Sequence, residues 1–263
     1  MINNYKQNGF TLIEVAIVFV IIAALLSYTL LPLRAQRESA NIKNARVKLV
    51  EIEEALYGFA IANGRLPCPT IPGNNGVENP DPPTSHCAGN AAIGGYIGFV
   101  PTTTLGVKGE VNCDGLLLDP WGRPYMYSIT NSSVSGNGDF VTFDGIRLAG
   151  GPTAVTPDIK ICNDLSQNCN AGAGSFSTDS AVAIIFSMGN RERPNSADEN
   201  ENAGDGTALA SSCGLAAYQV GGDRFYYSAQ RIEVAGQEFD DIVVWISPNI
   251  LYAKMLQAGF TIN

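Results

Sequence analysis

The hydrophobic pattern changes character several times along the chain. Residues 1–9, MINNYKQNG, are polar with a single charge, Lys6, and give way at Phe10 to FTLIEVAIVFVIIAALLSYTLL, which runs to Leu31. That run holds 22 residues and one charge, Glu14. As a helix rising ~1.5 Å per residue it reaches ~33 Å, enough to cross a hydrocarbon core of about 30 Å, so the pattern predicts a membrane-spanning helix. A secretory signal peptide fits less well, because its apolar region is usually ~7–15 residues and no small-x-small cleavage site follows. A carboxylate at the centre of such a helix costs about 2.5–3.5 kcal/mol on insertion scales, so Glu14 requires a cation or a proton.

Pro32 stands just past this run, where a kink or a melted turn is expected. Beyond it Ile42, Ala45, Leu49, Ile52, Leu56 and Phe59 recur at steps of 3 and 4, the spacing of one helix face meeting a core, while Arg46, Lys48, Glu51, Glu53 and Glu54 fall elsewhere. Gly64 suits the residue after the helix end, and Pro67 prevents resumption. The helix is expected over Phe10–Asn63, roughly 80 Å if continuous.

Residues 64–112 are rich in Gly and Pro, including Pro80, Pro82 and Pro83, and read as a long ordered loop. Short β-prone runs follow at Tyr125–Ile129, Phe140–Phe143, Ala181–Ser187, Arg224–Tyr227 and Ile242–Ile246, each bounded by turn-forming residues. Ser247-Pro248 then opens a short helix, Asn249–Ala258, that Gly259 ends. A long helix packed on an antiparallel sheet is an α+β layer architecture.

Gly9 followed by Phe10-Thr11-Leu12-Ile13-Glu14-Val15 resembles the class III leader of type IV pilins and type II secretion pseudopilins. The resemblance implies the pilin fold: a leader at 1–9, a transmembrane and assembly helix at 10–31, an amphipathic second half at 32–63 and a globular head at 64–263. It implies cleavage by a prepilin peptidase between Gly9 and Phe10, N-methylation of Phe10, and a role in assembly for Glu14. Physically, Glu14 of one subunit would neutralise the α-amine of a neighbour's Phe10 inside a low-dielectric filament core. The implied partners are other pilin or pseudopilin subunits, the peptidase and an inner-membrane assembly platform. The chain would sit in the bacterial inner membrane with its head in the periplasm, and after assembly in a pilus or pseudopilus.

Composition adds exclusions. The 25 acidic residues against 16 Lys and Arg leave a net charge of −9, which repels phosphate backbones, so no nucleic-acid partner is expected. A single histidine, His86, starves readings that need an imidazole cluster, and its place in a Pro-rich loop beside Cys87 suits an exposed, structurally neutral residue rather than a catalytic one. Six cysteines allow 15 pairings and no CxxC pair occurs. Closeness in sequence favours Cys68–Cys87 and Cys162–Cys169, leaving Cys113–Cys213, and an oxidising periplasm would maintain such bonds.

Asp119-Pro120-Trp121-Gly122 fits a type I turn of architectural value, similar to the DPWG turn of pseudopilins. The polar stretch 187–206 and FDDIVVW at 239–245 resemble loops in which major pseudopilins hold calcium, which implies Asp205, Asp240 and Asp241 as leading ligands. The earlier ligand element is only partly kept, since Asn190 stands where an acidic neighbour is expected and an insertion follows. Calcium is thus the one candidate cofactor, and none is required. Asp139 and Asp144 lie in Gly-Asn-rich surroundings that favour turns over acid–base work, and no nucleotide-binding glycine motif occurs. The reading is a structural filament subunit, a minor pilin or pseudopilin, with no enzymatic activity. A pilus-borne adhesin and a membrane-tethered exoenzyme are its rivals.

Overall fold

The computed structural model describes residues 9–79, 87, 96–130, 133–134, 138–148, 155–163, 176–190, 202, 207–220, 225–234 and 238–261; at 26–33, 133–134, 138, 148, 207 and 219 the backbone alone is described. Residues 1–8, His86, Cys169, Asp205 and Arg224 lie outside the described residues. The chain divides into two compact units, Met1–Lys43 and Asn44–Asn263.

Helix α1, Leu12–Asn63, contributes to both units. In the first unit its apolar side chains from Leu12 to Leu25 are exposed, among them Leu12, Ile13, Phe19 and Val20. Among the described residues no helix is long and apolar enough to cross a membrane. The transmembrane expectation rested on Phe10–Leu31, and the side chains of 26–31 fall outside the description. α1 is helical through Pro32.

In the second unit Ala45, Leu49, Ile52, Leu56 and Ala60 are fully buried at steps of 3 and 4, the stripe that the periodicity predicts. The stripe ends differently from expectation. Phe59 lies half-buried beneath the Arg65 guanidinium, 4.9 Å from the ring centroid, and Tyr57 and Ala60 take the core positions instead. Gly64 closes the helix at φ +64°, with its N–H donating to the Ala60 carbonyl.

The region expected as a loop after Gly64 carries β1 (Ile97–Phe99) and the single-turn helix α2 (Thr102–Leu105). Then come β2 (Met126–Ile129), β3 (Ser133–Val134), β4 (Gly138–Asp139), α3 (Gly145–Leu148), β5 (Ile159–Cys162), β6 (Phe176–Ala181), β7 (Ala183–Ser187), β8 (Thr207–Leu209), β9 (Tyr218–Val220), β10 (Phe225–Tyr227), β11 (Ile242–Ile246) and α4 (Pro248–Gln257). The main sheet runs β1-β2-β7-β11, antiparallel throughout. A second sheet runs β10-β5-β6. Its β10–β5 pair is parallel, a departure from the all-antiparallel head expected from sequence.

Alternation along the main sheet explains its two covered faces. Tyr127, Ile129, Ala183, Ile185 and Ile246 join the α1 stripe and Leu251, Tyr252 and Met255 of α4 in one core. Ile97, Phe99, Met126, Ile184 and Phe186 point the other way, into a core shared with Ile159 and Ile161 of β5 and Tyr226 of β10. The second unit is therefore layered helix, sheet, sheet. β7 is buried at every position because both of its faces are covered. The expected strand Ala181–Ser187 is in fact divided: Val182 bends the chain between β6 and β7, donating to the Ile246 carbonyl and accepting from Thr130 N–H.

Phe140–Phe143 forms no strand. Asp139 Oδ1 accepts the backbone N–H of Val141 at 2.9 Å and of Thr142 at 2.6 Å, winding the chain into a turn that leads to α3. α4 begins with Pro248 after an extended Ser247 and ends at Gly259 in a Schellman arrangement. There the Phe260 N–H reaches the Met255 carbonyl and the Gly259 N–H reaches that of Leu256.

Candidate functional site

The N-terminal turn of α1 brings together the residues singled out by the leader motif. Gly9 and Phe10 precede the helix and are exposed, Phe10 by 88%. Thr11 and Glu14 form a capping box: the Thr11 N–H and hydroxyl each donate to Glu14 Oε2 at 2.8 Å, and the Glu14 N–H donates back to Thr11 Oγ1 at 3.4 Å. This partnership was missed from sequence, although Thr11-x-x-Glu14 ahead of an apolar run is its signature. It gives the carboxylate a local role beside any role between subunits, and places negative charge at the positive end of the helix dipole. Behind it Val15, Ile17, Val18, Phe19, Val20, Ile21 and Ile22 are all exposed. A helix apolar on every side is one built to be surrounded.

Two disulfides tie the head loops. Cys68–Cys87 closes a separation of 19 residues and Cys113–Cys213 one of 100. Cys162 is also disulfide-bonded. Near the first bridge, Arg65 makes a two-pronged ion pair with Glu78, at 2.7 and 2.8 Å, and Glu78 also accepts the Cys68 N–H at 3.0 Å. Both partners are buried, so each charge depends on the other.

Cys113, Asp114 and Cys213 are, among the described residues, the one grouping of three potential metal-ligating side chains. They are already committed. The two sulfurs are bonded to each other and offer no thiolate. Asp114 accepts from the Ser212 N–H and hydroxyl, both at 2.6 Å, from the Ser211 hydroxyl at 2.7 Å and from the Tyr218 hydroxyl at 2.8 Å. Burial works against its charge, but the Ser212, Ser211 and Tyr218 bonds outweigh it and hold its carboxyl at about 2.

The calcium expectation concerned Asp205, Asp240 and Asp241. Asp240 Oδ2 accepts the Asn190 N–H at 3.0 Å. Asp241 Oδ2 accepts instead from Asn202 Nδ2 at 2.7 Å, and Asn202 in turn pins β10 through both the N–H and the carbonyl of Tyr227. The two neighbouring carboxylates thus serve different loops. The carbonyls of the 188–190 turn, the other oxygen-rich feature here, are bonded to the Arg123 guanidinium. Among the described residues, with Asp205 outside them, a permanently cationic group at the carbonyl cluster and carboxylates turned to separate partners do not form the convergent oxygen set that calcium takes.

The neighbouring Asp119–Gly122 turn closes as expected, with the Gly122 N–H donating to the Asp119 carbonyl at 2.9 Å and Gly122 at φ +83°. Asp119 organises it, accepting the Trp121 and Arg123 N–H groups and the Ser187 hydroxyl. Burial pushes its carboxyl up against these bonds. Trp121 is half-buried. Asp139 and Asp144 serve local turns, and Asp144 pairs with Arg147 at 2.6 Å.

Residues 4–30 match the family model described as the prokaryotic N-terminal methylation motif. Curated relatives cover the chain more broadly. A type II secretion system core protein G of Vibrio cholerae serotype O1 is 32% identical over 129 residues, 46% of this chain and 70% of that protein. The same-named protein of Aeromonas hydrophila is 32% identical over 121 residues, 46% of this chain and 72% of the relative. That of Escherichia coli strain K12 is 31% identical over 121 residues, 46% of this chain and 71% of the relative. No solved structure matches. The N-terminal motif and relatives of more than 30% identity, each matched over 70% or more of its own length, make the chain a member of the type IV pilin and type II secretion pseudopilin family.

Proposed function

We propose that this chain is a minor structural subunit of a type II secretion-like pseudopilus or type IV pilus, held in the inner membrane by the start of α1 before assembly. A prepilin peptidase cuts between Gly9 and Phe10, Phe10 is N-methylated, and the subunit enters the filament through α1. The observation that carries this reading is the helical stretch behind Phe10, exposed and apolar on every side with Glu14 as its one charge. From Leu12 to Leu25 this surface is exposed, and neighbouring copies of the same helix would cover it. Glu14, already oriented by Thr11, then meets the α-amine of a neighbour's Phe10.

The function is assembly and display, with no reaction. Asp139 and Asp144, the carboxylates that invite an acid–base reading, are occupied in a local turn and in an ion pair with Arg147. A minor place suits the size of the head, because the alignment to most of a core protein G uses less than half of this chain.

The test is peptide mass spectrometry of the N-terminus, run separately on sheared fibres and on membranes. An N-methylated Phe10 peptide in fibres, at low abundance relative to other subunits, is the expected result. An intact Met1 leader confined to membranes, in cells with an active prepilin peptidase, would overturn the proposal.

A further inference from the structure

Three consecutive backbone carbonyls, those of Met188, Gly189 and Asn190, converge on one cationic group. Arg123 Nη1 donates to the Met188 oxygen at 3.2 Å and to the Gly189 oxygen at 3.1 Å, and Nη2 donates to the Asn190 oxygen at 3.0 Å. In extended chain successive carbonyls point to opposite sides. Here the turn brings them together because Gly189 adopts φ +66°. The turn is also locked: a Cβ at Gly189 would lie 2.6 Å from the Asp240 carbonyl oxygen and 2.7 Å from its Cγ, and the Asn190 N–H is held by Asp240 Oδ2. Asp240 thus braces the turn from one side while Arg123 gathers its carbonyls.

Convergent backbone carbonyls are among the oxygen ligands that a hard divalent cation takes. The guanidinium meets the same need differently. It is planar, always charged, weakly hydrated and carries several donors in a fixed fork, so it serves several oxygens at once. Its backbone is fixed independently, by the Arg123 N–H to Asp119 Oδ1 and the Asp119 N–H to the Arg123 carbonyl. The side chain is therefore aimed at the 188–190 turn by the preceding turn.

We propose that Arg123 is an internal cation that does the work of a divalent metal ion at the 188–190 turn, so that the head is organised without calcium. The experiment is thermal unfolding of the full-length protein in detergent, in excess EGTA and in millimolar calcium. The wild type is expected to melt at the same temperature in both. Arg123→Ala is expected to melt roughly 2–8 °C lower in EGTA and to regain part of that loss in calcium, which then finds the carbonyls free. A wild type stabilised by calcium would overturn the proposal, as would an Arg123→Ala variant that loses nothing. So would one that loses stability calcium does not restore, because Arg123 would then be an ordinary packing residue. Should Arg123→Ala not fold, Arg123→Met gives the reading: it keeps an apolar stem but no charge, so it is expected to lose stability in EGTA and to regain part of it in calcium. A Met variant that is destabilised but indifferent to calcium overturns the proposal.

Discussion

Asp114 illustrates how a single side chain comes to hold a loop. It is fully buried yet stays ionised, because Ser211, Ser212 and Tyr218 all donate to it across about a hundred residues of chain. Its folded carboxyl titrates at about 2, below the ordinary 3.8, so the attachment contributes stability that is present above pH ~4 and lost as pH falls towards 2. We expect the melting temperature of the wild type to fall over that window. Asp114→Asn, which cannot accept the same set of donors, should be less stable at neutral pH by about 1–3 kcal/mol and should lack that part of the acid slope. Thermal melts of both proteins from pH 7 to pH 2 check this, and parallel slopes would remove the assigned role. None of this was legible in the sequence. The Cys113–Cys213 bridge was reached there as a remainder, but nothing local to Asp114 names donors so far along the chain.

At the scale of elements, legibility followed the range of the interactions that decide each one. The buried stripe of α1 was readable because a helix face repeats within a few residues, and the end of α4 because Gly259 and Phe260 close it locally. Phe140–Phe143 was misread because apolar residues following Asp139 looked extended, whereas the Asp139 carboxylate takes the next backbone N–H groups and turns the chain. The parallel pairing of β10 with β5 depends on strands far apart in sequence, and no local pattern encodes it. β7 was recognisable as a strand, but its central place, between β2 and β11 with both faces covered, was not. That place sets a price for damage. Ile185 is fully buried against the helical side, and Ile185→Ala should lower stability by about 2–5 kcal/mol. Val111→Ala, at a residue 51% exposed, should change it by less than about 0.5 kcal/mol. Denaturant midpoints of the two variants make the comparison, and equal midpoints would contradict the layered core.

For the whole molecule, the division between Lys43 and Asn44 separates two kinds of surface. Every side chain of the three buried clusters lies after that division, from Leu49 onward. The apolar residues before it, from Phe10 to Leu25, are largely exposed. The helix of the first unit was legible from its continuous apolar run, and the motif residues Gly9, Phe10 and Glu14 from one short stretch, whereas a membrane span was expected there and no described helix is long and apolar enough for one. It follows that a chain truncated to residues 44–263 should fold, form its disulfides and melt in one cooperative transition, because the truncation removes none of the described buried core residues. It should also remain in solution without detergent, whereas the full chain should need detergent or lipid, because the removed segment holds the large exposed apolar surface. Near-UV circular dichroism followed through a thermal scan, with sedimentation to establish monodispersity, tests both halves of the expectation. An aggregated fragment without a cooperative transition would mean that the head draws stability from the part of α1 before Asn44, and the exposed face of that helix would then have to be assigned a partner within the same chain.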